Sequence, residues 1–141
     1  MKKLFELHRL EDIKPFVTSI LPFLTFGTLV TLKGPLGVGK TTLVQEMAQQ
    51  LGVAMRITSP TFTIMKVYPI QGHKGRLLHV DAYRLDQSQS FGLEDEMDED
   101  TITMIEWPEK LRSLPYAKKT IHLTLRFVNE TIRSIEMETN S

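Results

Sequence analysis

The chain has no cysteine among its 141 residues, which removes disulfide scaffolds, zinc–cysteine centres and thiol nucleophiles together. Net charge is lacking as well. Lys plus Arg is 17 and Asp plus Glu is 17, so no global positive field draws in nucleic acid or an anionic membrane. Any RNA connection must be local or indirect. No apolar run approaches the ~20 residues that span a bilayer. The N-terminus begins with Lys2 and Lys3, but Glu6, His8, Arg9, Glu11 and Asp12 interrupt the apolar stretch that a signal peptide needs. Repeats, low-complexity tracts and Gly/Ser/Pro-rich linkers are missing too. These absences lead to the expectation of a soluble, cytoplasmic protein with neither membrane nor DNA as a partner.

What remains is an ordinary globular composition, 41% hydrophobic and 24% charged, in a length that suits a single domain over 1–141. Ile13, Phe16, Val17, Ile20 and Leu21 recur at helical spacing between Pro15 and Pro22, predicting a short amphipathic helix within about 11–23. The β-branched run at 28–32 reads as a buried strand. Leu43, Met47 and Leu51 predict a helix over about 40–51, closed by Gly52. Residues 62–70 and 76–80 read as a hairpin, 81–100 as polar helix fragments and loop, and 101–106 as a further buried strand. Pro108 and Pro115 bracket a short helix or loop, and 121–127 with 132–137 form an antiparallel pair. Strand, loop, helix, then more strands indicates an α/β domain, a mixed parallel and antiparallel sheet flanked by helices.

Between the first buried strand and its helix lies Gly34-Pro35-Leu36-Gly37-Val38-Gly39-Lys40-Thr41, which satisfies G-x-x-x-x-G-K-[ST] in the strand-to-helix context that motif requires. Glycines are needed there because backbone N–H groups wrap the phosphates at an approach that a Cβ would block. The helix N-terminus adds unpaired donors and partial positive charge. In this pattern Lys40 reaches the β- and γ-phosphates, the Thr41 hydroxyl ligates Mg²⁺ and Thr42 reaches the α-phosphate. A nucleoside triphosphate is the expected ligand, in a P-loop NTPase domain.

Turnover of a nucleotide usually adds an acidic residue at the end of a neighbouring strand. Leu77-Leu78-His79-Val80-Asp81 and Met104-Ile105-Glu106 are both apolar runs ending in a carboxylate. If parallel to the loop's strand, both place their carboxylates at the edge where α/β sheets bind ligands. Either could instead cap the next element. Thr61, in Thr58-Ser59-Pro60-Thr61, is a candidate γ-phosphate sensor, or part of a turn with local hydroxyl bonds.

The set GPLGVGKTT (34–42), SPTF (59–62), HVDAYRL (79–85) and IEWPE (105–109) resembles the TsaE family, formerly YjeE, over nearly the whole chain. The resemblance implies a bacterial P-loop ATPase of tRNA threonylcarbamoyladenosine biosynthesis. Such a protein binds ATP and hydrolyses it slowly to ADP in support of TsaB and TsaD, and meets tRNA indirectly through that complex. The modification falls on adenosine 37 of tRNAs reading ANN codons, and the group itself is not transferred by this member. Carried over by residue, Gly34, Gly37, Val38, Gly39, Lys40, Thr41 and Thr42 hold the nucleotide. Thr41 and Glu106 hold Mg²⁺, while Lys40, Asp81, Glu106 and Thr61 are the catalytic or switch residues. Tyr83, Arg84 and Trp107 shape the site or the partner surface. Leu10 falls where the family's N-terminal segment covers the adenine, and Arg133 is a further candidate there. Pro35 replaces the usual Asp or Asn and Val38 the common Ala, at positions that supply no required side chain.

Two other functions suit the same loop: a small-molecule kinase, and a nucleotide-dependent binding module in which hydrolysis is incidental. The chain is short for a kinase and shows no Arg-rich lid segment. The acidic cluster Glu94, Asp95, Glu96, Asp98, Glu99 and Asp100 reads as a solvated face. His73 and His79 have no partner His or Cys at ligand spacing and are not expected to bind zinc.

Overall fold

Residues 1–58, 64–85 and 92–140 are described by a computed structural model. Among them, seven strands form one sheet in the order β1-β7-β6-β2-β5-β4-β3. The strands are β1 (Lys2–Leu7), β2 (Thr28–Lys33), β3 (Met65–Pro69), β4 (Arg76–Asp81), β5 (Thr101–Glu106), β6 (Lys119–Phe127) and β7 (Arg133–Asn140). The helices are α1 (Ile13–Ile20), α2 (Lys40–Leu51) and α3 (Leu93–Glu96).

The sheet is mixed, as expected. β2, β4, β5 and β6 run parallel, β3 pairs antiparallel with β4, and β7 pairs antiparallel with both β6 and β1. Central β2 and β5 are buried on both faces, which is why they read as continuous apolar and β-branched runs rather than alternating ones. On one face α1 and α2 cover Val30, Leu32, Met104, Ile121 and Leu123, with Val17, Ile20, Leu43, Val44 and Met47 from the helices. Each such side chain, removed from water, contributes about 1.5–3 kcal/mol. On the other face a smaller cluster gathers Leu29, Val80, Leu93 and Ile105 against Met97, Leu111 and Ala117.

The register fixes the ligand edge. Leu32 of β2 pairs with Glu106 of β5, and Glu106 in turn with Asp81 of β4. The carboxyl ends of three adjacent parallel strands thus lie level, directly beside the turn from β2 into α2.

The helix over 40–51 has the expected bounds, and its last turn closes through the Gly52 N–H to the carbonyls of Ala48 and Gln49. The first helix is shorter than 11–23. Pro22 has no N–H to extend the α ladder, and 3₁₀ turns at Leu10–Asp12 and Leu21–Phe23 flank Ile13–Ile20. Strand β1 is an addition to the expected elements, an edge strand whose residues are exposed except at Phe5 and Leu7. After Trp107 the anticipated helix or loop is one 3₁₀ turn at Pro108–Lys110.

Candidate functional site

The glycine-rich turn leaves β2 and enters α2 through residues whose backbone only glycine adopts readily. Gly37 has φ +78° and Gly39, at the head of α2, φ +110°. A Cβ at either position would meet no atom within 4 Å, so the turn presents an open face. Gly34 differs: a Cβ there would stand 2.8 Å from the Leu125 carbonyl oxygen and 2.9 Å from Val38 Cγ1. The first glycine is thus required by packing, and the later ones by backbone path and by what approaches the open face.

Lys40 is almost fully buried. Its ammonium donates to the carbonyls of Gly34 and Pro35 and lies 4.0 Å from the centre of the Trp107 ring. Burial holds the ammonium below its usual value of 10.5, opposed by the nearby carboxylates of Glu106, Glu109 and Asp81. Trp107 reaches this position because the chain turns sharply as β5 ends. With φ 60° and ψ 51° it is the one non-glycine residue at positive φ among the described residues. That conformation costs about 1–2 kcal/mol for an L-residue. It is held by Trp107 N–H to the Leu32 carbonyl at 3.2 Å and Lys110 N–H to the Trp107 carbonyl at 3.0 Å. Tyr83 packs against the Trp107 ring as well, with ring centres 4.8 Å apart.

The Thr41 hydroxyl meets the Glu106 carboxylate at 2.9 Å from Oε1 and 3.0 Å from Oε2. His79 Nε2 lies 2.7 Å from Oε2. The half-buried hydroxyl from α2, the buried carboxylate from β5 and the buried imidazole from β4 therefore form one hydrogen-bonded chain. Asp81 stands level with Glu106 at the same edge, and one of its oxygens accepts the Tyr83 N–H at 3.0 Å.

Beside the turn is a cavity of about 300 Å³ lined by Leu7, Arg9, Leu10, Ile13, Gly37, Val38, Gly39, Thr42, Thr131 and Arg133. Two local devices hold its walls. Asp12 Oδ2 accepts the N–H groups of His8 and Arg9 at 2.8 and 3.2 Å, bracing the segment that carries Leu10. Asn129 Oδ1 accepts the N–H groups of Thr131 and Ile132 at 2.9 and 2.8 Å, bracing the turn before Arg133.

The fold thus brings together Lys40, Thr41, Glu106, Asp81, Trp107 and Tyr83 on one side of the turn, and Leu10, Gly37, Val38, Gly39, Thr42 and Arg133 on the other. Thr61 lies outside the described residues. His79 is the residue that sequence reasoning passed over: judged as a metal ligand it lacks partners, but it shares a strand face with Asp81, two residues on. In the acidic segment, Arg76 pairs with Glu96 at 3.5 Å and Asp98 at 3.3 Å. Among the described residues no group of three His, Asp or Glu side chains is placed to hold a metal ion alone. Two hard oxygen donors, Thr41 and Glu106, do suit Mg²⁺ if phosphate oxygens and water complete its shell, the usual way this ion is bound.

A strand, a glycine-rich turn and a helix opening on Lys-Thr, with a carboxylate ending the adjacent parallel strand, define an α/β protein built around a glycine-rich strand-to-helix turn. The chain belongs to the TsaE family: the profile described as "Threonylcarbamoyl adenosine biosynthesis protein TsaE" matches residues 7–135. Similar proteins include the "tRNA threonylcarbamoyladenosine biosynthesis protein TsaE" of Streptomyces coelicolor, 44% identical over 59% of this chain and 58% of that one. The Synechocystis protein of the same description is 44% identical over 65% and 61%, and that of Borreliella burgdorferi 36% over 80% and 83%. The match thus spans about three fifths of the length of the first two relatives. A solved structure, Bacillus subtilis YdiB, superposes with a TM-score of 0.72 at 26% identity, covering 99% of this chain and 85% of that one. No helix among the described residues is long and apolar enough to cross a membrane.

Proposed function

We propose that this protein binds ATP with Mg²⁺, hydrolyses it slowly, and through that cycle supports TsaB and TsaD in the threonylcarbamoyl modification of adenosine 37 in tRNAs reading ANN codons, in the cytoplasm. The observation that carries the proposal is the direct contact of Thr41 with Glu106 beside the open glycine turn. Thr41 and Glu106 are the residues that would hold a cation accompanying the nucleotide, supplying hard oxygen donors to it.

The triphosphate lies along the turn, accepting from the backbone N–H groups of the loop and the head of α2. Lys40 exchanges its carbonyl acceptors for phosphate oxygens and leaves the Trp107 ring. When bound, Mg²⁺ neutralises charge that develops on the transferred phosphoryl group. Asp81 or Glu106 orients the attacking water. The 300 Å³ cavity takes the base, with Leu10 and Arg133 against it; its volume is at the lower end of the ~300–1,000 Å³ found for small-molecule sites. Stabilisation of the transferring charge falls to Lys40 and the backbone donors, with Arg84 or a partner residue adding a further positive charge. Turnover by the isolated chain is accordingly slow.

The test is phosphate release by the purified protein alone and with TsaB and TsaD, for wild type, Lys40→Ala and Glu106→Ala. Slow release that rises with the partners and is lost in both variants supports the proposal. Release indifferent to the partners, or γ-phosphate recovered on a small acceptor, overturns it in favour of a kinase.

A further inference from the structure

We propose that His79 is a positioning residue for Glu106, donating from Nε2–H to Oε2 and so committing that oxygen, while Oε1 and the Thr41 hydroxyl are left to face the cation. The inference rests on the reading above that Glu106 serves Mg²⁺.

The backbone makes the meeting obligatory. In the parallel β4–β5 pair, His79 is opposite Met104, and Glu106 is two residues further on along the same face, within reach of a long side chain. The side chains that precede them on the same face, Leu77, Ile102 and Met104, are apolar and buried. An apolar residue would pack at position 79 as well, so a histidine there calls for a chemical reason.

That reason is the Glu106 carboxylate, whose side chain is 3% exposed and which the imidazole, at 0%, touches at 2.7 Å. A carboxylate taken out of water without donors is strongly destabilised. The Thr41 hydroxyl has one proton to give and sits almost equidistant from the two oxygens. A hydroxyl that gives a lone pair to a cation keeps its proton, but this one meets both carboxylate oxygens almost equally and so does not select between them; the choice falls to His79, the other hydrogen-bond donor to Glu106 among the described residues. It therefore decides whether the carboxylate keeps its orientation through the nucleotide cycle.

The tautomer follows from the same geometry. An ionised carboxylate only accepts, so Nε2 carries the proton. Nδ1 is buried with no hydrogen-bond partner among the described residues. The ring's hydrogen bond among the described residues is therefore made through Nε2 alone, to Glu106.

The experiment measures Mg²⁺-dependent binding of a fluorescent ADP analogue to wild type, Glu106→Ala, His79→Leu and His79→Gln, with parallel titrations in EDTA, and the ring ¹⁵N shifts of His79 in the wild-type protein. Loss of a group that orients a metal ligand typically costs 10–100-fold in metal affinity. His79→Leu should therefore raise the half-saturating Mg²⁺ concentration by about that factor, leave nucleotide affinity in EDTA unchanged, and be largely rescued by His79→Gln, which restores an N–H donor of similar reach. A merely structural role would weaken binding equally with and without Mg²⁺. If Glu106→Ala leaves the Mg²⁺ dependence unchanged, the metal reading of Glu106 fails. If Glu106→Ala shifts it and His79→Leu does not, the His79 proposal alone fails. The ¹⁵N shifts decide even if His79→Leu does not fold: an Nε2–H tautomer is expected, and an Nδ1–H tautomer overturns the proposal.

Discussion

Alanine at Gly37 and alanine at Gly34 should injure the protein in opposite ways. At Gly37 the φ of +78° puts an L-residue in the left-handed region, but its Cβ would meet nothing within 4 Å. The strain is about 1–2 kcal/mol, partly offset by about 0.4–1 kcal/mol from a less flexible unfolded chain. A net loss near 1 kcal/mol lowers the melting temperature by about 2–4 °C in a chain of this size. The nucleotide should suffer far more, because the added methyl stands on the face the phosphates approach. Losing one hydrogen bond to a charged group costs about 1.5–3 kcal/mol, which weakens ATP binding by roughly 10–100-fold. At Gly34 the methyl would press on the Leu125 carbonyl at 2.8 Å and Val38 Cγ1 at 2.9 Å. Overpacking of that kind adds about 1–3 kcal/mol to any backbone strain, so Gly34→Ala should melt lower than Gly37→Ala. Thermal melts read the stability and calorimetric ATP titrations the affinity. Gly37→Ala binding ATP as wild type does would refute the assignment of the open face to phosphate. Gly34→Ala melting with wild type would refute the packing argument.

Burial depresses the Lys40 proton affinity, so between its folded value and 10.5 the unfolded chain holds more protons and stability rises with pH. At neutral pH the lysine is charged in both states and carries the burial penalty. Lys40→Met should then melt above wild type near pH 7, with the margin narrowing toward pH 10.5, while ATP binding is lost; a margin that widens with pH would refute the sign. Trp107 is the single tryptophan, and its ring lies under the ammonium that the phosphates must draw away. Mg·ATP should therefore change its emission in wild type and leave that of Lys40→Met unchanged; a silent wild type would refute the movement of Lys40.

The elements that read clearly in the sequence are those whose signals are local. Helix α2 is bounded by a glycine-rich turn and Gly52, and β2 and β5 are runs buried on both faces, so periodicity and punctuation locate them. Strand β1 has no such signal. As an edge strand it buries little beyond Leu7, and its pairing with β7 joins the two ends of the chain. The site divides in the same way. Lys40 and Thr41 are fixed by a contiguous motif, whereas the level placement of Asp81 and Glu106 depends on strand order and register. His79 was hidden for that reason: its partner is 27 residues away and is met only because β4 and β5 are parallel neighbours. The Lys40–Trp107 contact depends on a single left-handed residue after β5, which no propensity signals for a tryptophan.

The most direct measurement is a crystal structure of the protein with Mg²⁺ and a non-hydrolysable ATP analogue. The account predicts β- and γ-phosphates on the N–H groups around Gly37 to Thr41, Lys40 turned from the Gly34 carbonyl to phosphate, and Mg²⁺ between Thr41 and Glu106. It also predicts the base in the cavity lined by Leu10 and Arg133. A nucleotide seated elsewhere, or one on the loop with Thr41 still bonded to Glu106 and no cation between them, would contradict it.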